Sequence, residues 1–199
     1  GGKGANQAVA AARLGAAVAL VARVGTDVFG DQSISSLRGE RIDTGHVFRD
    51  PDHATGVALI LIDDRGENAI SVASGANHAL SPADIERAAG LVRAADVLML
   101  QLEVPLATVA AAARIAADAG VPVILDPAPA VPLPAELLRR VTCLTPNEIE
   151  AERLSGVAVV DDASARQAAL RLLEAGPRHV VITRGAAGAL VADRDGVRL

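Results

Sequence analysis

The stretch Ala117-Asp118-Ala119-Gly120-Val121-Pro122-Val123-Ile124-Leu125-Asp126, residues 117–126, decides the fold. It ends a helical pattern over 105–119 at a glycine, crosses an apolar run at 121–125, and places a carboxylate directly after that run. A short, almost wholly apolar segment beside a helix reads as a strand buried on both faces. The same unit recurs on either side. Upstream, 96–100 reads as a strand; downstream come a short helix near 134–140, a strand at 141–144, a helix from Pro146, a helix over about 162–175 and a strand at 179–183. Strands alternating with helices predict an α/β fold, a mainly parallel sheet flanked by helices on both faces. Toward the N-terminus, 4–14 reads as a helix broken at Gly15 and 18–24 as a strand, and Ser81-Pro82-Ala83-Asp84 starts a helix with a serine cap and proline at its first position. Residues 55–73 depart from the alternation. Two apolar runs around Asp63-Asp64-Arg65-Gly66 predict a β-hairpin, an insertion or lid on the edge of the α/β body.

The 199 residues suit one medium domain, or one domain with a small subdomain, and 51% hydrophobic against 22% charged residues excludes a disordered chain. A net charge of −5 supplies no general field for nucleic acid or anionic lipid, so any polyanion must be held by a local site. With no Trp, no Tyr and two Phe, base stacking has little to work with. The apolar runs are too short to span a bilayer. A single cysteine, Cys143, reads as a core thiol and fits a reducing compartment, so a cytoplasmic location is expected. Both ends look cut, because the chain opens without Met inside a glycine motif and stops at Leu199 without a cap or turn signal. His46, His53, His78 and His179 lack metal-ligand spacing, and Ser71 and Ser74 lack a nucleophile-elbow context.

Ligands of an open parallel sheet bind beyond the carboxyl ends of its strands. The predicted strands are followed there by Gln101 and Glu103, by Asp126, by Asn147 and Glu150, and by Thr183-Arg184-Gly185. Thr145-Pro146-Asn147-Glu148 reads as a capping box, with Thr145 and Glu148 as its two arms. Asn147 and Glu150 then share a face at the positive end of the helix dipole: either two solvated residues, or a place for phosphate and hydrated Mg²⁺. Gly1-Gly2-Lys3-Gly4-Ala5-Asn6-Gln7 leads straight into a helix and reads as a tight turn with a solvated lysine, or as a cradle for a sugar beside a phosphate. It matches neither the dinucleotide fingerprint nor the Walker A loop. Arg184-Gly185-Ala186-Ala187-Gly188 reads equally as a turn or as an amide nest for nucleotide phosphates.

Taken in order, Gly-Gly-Lys-Gly-Ala-Asn-Gln-Ala, Thr55-Gly-Val-Ala58, Gly75-Ala-Asn77, Gln101-Leu-Glu103, Pro127-Ala-Pro-Ala130, Thr145-Pro-Asn-Glu148 with Glu150, and Thr183 with Gly185 resemble the ribokinase-like carbohydrate kinases over essentially the whole chain. The resemblance implies a partial domain of that fold over residues 1–199, with the hairpin of about 55–73 as its lid. It implies sugar contacts from Gly2, Lys3, Gly4, Asn6 and Glu103, with Lys3 near the transferred phosphate, and an apolar lid contact from Ile70. It assigns Mg²⁺ to Asn147 and Glu150, and the ATP nucleotide to Asn147, Thr183 and Gly185. A monovalent cation, K⁺, and a homodimer built through the lid are expected of the intact protein. The family's catalytic base, an Asp in Gly-Ala-Gly-Asp, is expected after Leu199, and a first strand bearing a sugar-holding Asp before Gly1, so no catalytic residue is assigned within the chain and the fragment alone is expected to be inactive. Arg184 stands where some relatives carry an apolar residue, and Asp126 where some carry Asn. The implied reaction is transfer of phosphate from ATP to a sugar hydroxyl, with D-ribose to ribose 5-phosphate ahead of deoxyribose or fructose types. From other classes, the alternatives are a non-catalytic sugar- or nucleotide-binding module and, more distantly, an oxidoreductase.

Overall fold

The computed structural model describes residues 2–62 and 68–198, with the backbone alone for 60–62 and 68–71. The chain forms two compact units, Gly1–Ala88 with Glu103–Thr108, and Ala89–Leu102 with Val109–Leu199.

The first unit opens with α1 (Lys3–Arg13), whose Ala8 is buried against Leu37 and Ile42, with Ala5, Val9, Ala12, Val18 and Leu20 packed around them. Strand β1 (Ala22–Gly25) pairs in parallel with β2 (Val47–Asp50). The strand expected over 18–24 makes only an isolated bridge at Ala19, opposite Asp43, before β1 begins. The cause lies in its partner: Arg41 takes a positive φ of 61° and Val47 N–H turns back onto Thr44 O, so no extended neighbour exists until Val47. Helix α2 (Val28–Gly39), which the sequence reading passed over, buries Ile34 against Val24 and Val47.

Asp27 caps α2 by accepting the Gly30 amide at 2.9 Å. The same carboxylate accepts the Thr55 amide and hydroxyl, each at 2.7 Å, while the Gly25 amide donates to Thr55 Oγ1 at 2.9 Å. That group of bonds fixes the point where the expected hairpin leaves. The hairpin is β3 (Val57–Ile62) against antiparallel β4 (Asn68–Ala73), a separate two-stranded sheet in the register Val57↔Ala73, Ile60↔Ile70 and Ile62↔Asn68. Its expected turn, residues 63–67, lies outside the described residues. The two legs are drawn together at the base, where Ala76 N–H meets Ala54 O at 2.8 Å and a Cβ on Gly75 would lie 2.3 Å from that carbonyl. Only glycine tolerates this approach, together with a φ of +49°.

Helix α3 (Pro82–Arg87) starts at Ser81 as expected, with Asp84 completing the capping box. Asp84 also pairs with Arg23 of β1 at 2.7 Å, and Arg23 reaches Asp50 of β2 at 2.9 Å. Both carboxylates are nearly fully buried. The Arg23 guanidinium bond holds Asp50 well below the ordinary carboxylate range against the opposing effect of burial.

The second unit contains α4 (Ala89–Ala94), β5 (Leu98–Leu100), β6 (Val123–Leu125), α6 (Ala135–Leu138), β7 (Cys143–Leu144), α7 (Glu148–Ser155), α8 (Asp162–Glu174), β8 (His179–Thr183), β9 (Ala189–Asp193) and β10 (Gly196–Arg198); α5 (Leu106–Asp118) begins in the first unit and continues into it. One six-stranded sheet runs in the order β10-β9-β8-β7-β6-β5. Strands β5 to β8 are parallel, as the alternation predicts, while β9 pairs antiparallel with β8 because the chain reverses at Arg184–Gly188 instead of crossing over through a helix, and β10 pairs antiparallel with β9 after a second turn at Arg194–Asp195. The α/β class with a mainly parallel, helix-flanked sheet therefore holds. Val123, Leu125, Leu144, Val180, Ile182 and Leu190 are fully buried along the sheet, and α8, whose Ala165, Ala168 and Ala169 are also fully buried, packs against β8 and β9. Small side chains let this helix lie close to them. Cys143 is only half-buried, a correction to its reading as a core thiol, and burial pushes its thiol pKa up.

Candidate sugar and nucleotide sites

Helix α1 has no acidic residue in its first turn, and its N-cap, Gly2 at φ 85°, has no side chain with which to cap it. The carboxylate is supplied from a distance. The Lys3 amide donates to Glu103 Oε2 at 2.6 Å, and a Cβ on Gly2 would stand 3.1 Å from the same oxygen. Negative charge at the positive end of a helix is stabilising, and the absence of a side chain at residue 2 leaves room for it. Gly2, Lys3, Gly4 and Asn6 thus share the first turn of α1 with Glu103 beside it. Asn6 is exposed, and its side-chain amide has no hydrogen-bond partner among the described residues. Ile70 is placed by its backbone alone, in β4 opposite Ile60.

In the second unit the capping box of α7 differs from the expected one by two residues. Glu150 N–H donates to Asn147 Oδ1 at 2.9 Å, and Asn147 N–H donates to Glu150 Oε2 at 2.8 Å. Thr145 cannot be the cap because residues 145–147 are held extended: Thr145 N–H bonds Leu125 O, Thr183 N–H bonds Pro146 O, and Asn147 bridges Thr183 in parallel. The helix starts only after that ladder ends. Thr145 Oγ1 turns to Leu125 O, and Glu148 turns to Arg184. Asn147 and Glu150 are therefore first of all the caps of α7.

Thr183 ends β8 exposed, and Gly185 opens a 3-10 turn at a φ of 53°. The amides of Arg184, Ala187 and Gly188 are bonded within residues 184–188, so the segment is a closed turn. Those three amides are therefore engaged within the turn. Arg184 itself is an unexpected feature: its side chain is 6% exposed and donates from Nε to Glu148 at 3.2 Å and from Nη1 to Asp162 at 2.5 Å. Sequence reading gave no signal for this pairing beyond the acidic residues at the starts of α7 and α8.

No three His, Cys, Asp or Glu among the described residues come together as a metal cage. Glu150 Oε1 is unengaged by the capping box, so the residues present fit a Mg²⁺ ion held chiefly through water and substrate phosphates, the usual habit of that ion. No helix among the described residues is long and apolar enough to cross a membrane.

A family model described as pfkB family carbohydrate kinase matches residues 1–199. The chain belongs to that family. It is 45% identical over 199 residues to a ribokinase of Haemophilus influenzae, covering 100% of this chain and 65% of that protein. It is 41% identical over 199 residues to a deoxyribokinase of Salmonella typhi, covering 98% and 64%. Among solved structures, Arabidopsis thaliana ribokinase complexed with ribose and ATP superposes with a TM-score of 0.93 at 32% identity, covering 98% of this chain and 64% of that one. The chain thus spans slightly under two thirds of each.

Proposed function

We propose that the chain forms the greater part of an ATP-dependent sugar kinase that phosphorylates D-ribose on its 5-hydroxyl. The observation that carries the reading is the meeting of Gly2, Lys3 and Glu103 at the first turn of α1, supported by the ribokinases it resembles and by the ribose and ATP held by the Arabidopsis protein. Glu103 and Asn6 bind and orient the sugar hydroxyls, and Lys3 places positive charge beside the transferred phosphate. Thr183 and Gly185 meet the nucleotide, and Asn147 and Glu150 organise its phosphates. Bound Mg²⁺ neutralises charge on those phosphates. Phosphoryl transfer needs positioning, charge balance and exclusion of water more than covalent help, and these residues supply the first two.

The hairpin is the lid that excludes water. Val57, Leu59 and Val72 are all exposed on it, a composition that suits a homodimer interface when the lids of two protomers meet. The proton acceptor is assigned to an Asp in a Gly-Ala-Gly-Asp motif outside residues 1–199, as is the K⁺ site, and the single cysteine favours a cytoplasmic setting. The likeness to a deoxyribokinase supports 2-deoxyribose as the second reading.

Incubating the full-length gene product with Mg²⁺, labelled ATP and either sugar tests both. Ribose-dependent transfer with deoxyribose far behind is expected, the reverse order selects the second reading, and no transfer to either overturns both. The 199-residue chain alone should transfer nothing. Label moved by it to ribose would place the base within these residues.

A further inference from the structure

We infer that Arg184 is the positioning residue of the nucleotide edge. It does not touch the nucleotide; it locks the turn that does. The inference rests on the reading that Thr183 and Gly185 meet the nucleotide and that Asn147 and Glu150 face its phosphates. On the side of Pro146 and Asn147 the main-chain ladder ends at Thr183, and the 185–187 turn beyond it is closed only within the β8–β9 hairpin, by Thr183 opposite Ala189 and by Arg184 N–H on Gly188 O. Arg184 adds the tie from that hairpin turn to the two helices. Its planar guanidinium, almost wholly buried, joins Glu148 in the first turn of α7 and Asp162 in the first turn of α8. One side chain thereby fixes three segments: the 3-10 turn, the helix capped by Asn147 and Glu150, and α8 beside it. A fork with several fixed donors can hold two carboxylates in one geometry, which a lysine cannot do equally well.

The pairing has an electrostatic side as well. Glu148, Asp161 and Asp162 gather at the starts of the two helices, and the Arg184 cation faces all three. Without it, uncompensated carboxylates would lie at the edge where a polyphosphate must approach. Arg184 is therefore assigned both the geometry of that edge and its tolerance of negative charge.

The test uses the full-length gene product, with ATP affinity read by calorimetry and ATP and ribose KM by steady-state kinetics. Arg184→Leu is expected to raise ATP Kd and ATP KM on the order of tenfold, since small misplacements at such sites are amplified, and to leave ribose KM near its wild-type value. Arg184→Lys should recover part of the loss by keeping the charge. Adding Glu148→Gln and Asp162→Asn to Arg184→Leu should recover the electrostatic part. An Arg184→Leu protein that melts lower but keeps wild-type ATP constants overturns the inference, as does equal loss for both substrates. If Arg184→Leu does not fold, Glu148→Gln and Asp162→Asn alone should each raise ATP KM a few-fold, and unchanged values for both overturn it. Wild-type protein that binds no ATP brings down the nucleotide reading and this inference together, whereas wild-type binding with an indifferent Arg184 brings down the inference alone.

Discussion

Asp27 illustrates how much one carboxylate can organise. It caps α2, receives the Thr55 amide and hydroxyl, and through Thr55 reaches the Gly25 amide. Thr55→Val keeps the shape but removes the hydroxyl, leaving the Gly25 amide without its acceptor. Urea unfolding should show a loss of about 1–3 kcal/mol; an unchanged midpoint would mean that water replaces the hydroxyl. The carboxylates of this unit also set its acid limit. The Arg23 hydrogen bond depresses Asp50, the Thr55 amide depresses Asp27, and in Asp84 the bonds from Ser81 and Arg23 outweigh burial, which acts the other way. Because the folded pKa values lie below the unfolded ones, their stabilisation is complete above the ordinary carboxylate range near pH ~4 and is lost as pH falls through the folded values. Urea melts between about pH 7 and pH 3 should therefore stay level and then drop, and Asp50→Asn should flatten the drop; parallel acid limbs would remove Asp50 from that role. At this scale the sequence was legible where residues are neighbours and opaque where they are not. The glycines, Lys3 and Asn6 announce themselves in one heptapeptide, but Glu103 lies a hundred residues from the amide it receives, and only resemblance linked the two.

The elements were legible wherever apolar periodicity was strong. Strands β5 to β7 fell where the apolar runs predicted, though shorter, β8 matched its expected span, and Ser81 with Pro82 marked the start of α3. Helix α2 was missed because Ile34 and Leu37 are its only large buried side chains among serines and charges, and β2 because Val-Phe-Arg-Asp is half polar. The start of α7 was misplaced by two residues because a ladder to β6 and β8, invisible in local sequence, keeps Thr145 extended. The hairpin was read correctly, and its base makes a prediction. Gly75→Ala sets a Cβ against a carbonyl at 2.3 Å with a positive φ, so it should destabilise the base by more than about 1 kcal/mol. Under the lid reading, β3 and β4 amides in the full-length gene product should exchange with deuterium faster without ribose than with it. Equal protection in both states would make the hairpin a static edge.

Across the whole molecule, the candidate residues divide between the units: Gly2, Lys3, Gly4, Asn6 and Glu103 belong to the first, and Asn147, Glu150, Thr183 and Gly185 to the second. The two substrates should therefore be separable by mutation. On the proposed reading, Asn6→Ala or Glu103→Ala should weaken ribose use at least tenfold while ATP binding survives, since a sugar hydroxyl enclosed at the site without its partner is strongly penalised. Glu150→Gln should raise the Mg²⁺ requirement and lower turnover with ribose binding nearly unchanged. A Glu150→Gln protein with unaltered Mg²⁺ dependence would remove that residue from the site.

The tie between Lys3 and Glu103 also bears on the order of events as the polypeptide is made. The first unit is interrupted in sequence, because Glu103–Thr108 return to it only after Ala89–Leu102 have been built into the other. Helix α1 leaves the ribosome about a hundred residues before the carboxylate that completes its first turn exists. Contacts this distant close late and slow the search for the native arrangement. A nascent chain arrested at Ala88 should thus carry a frayed start to α1, and the turn bearing Lys3 and Asn6 should settle only once synthesis has passed Glu103.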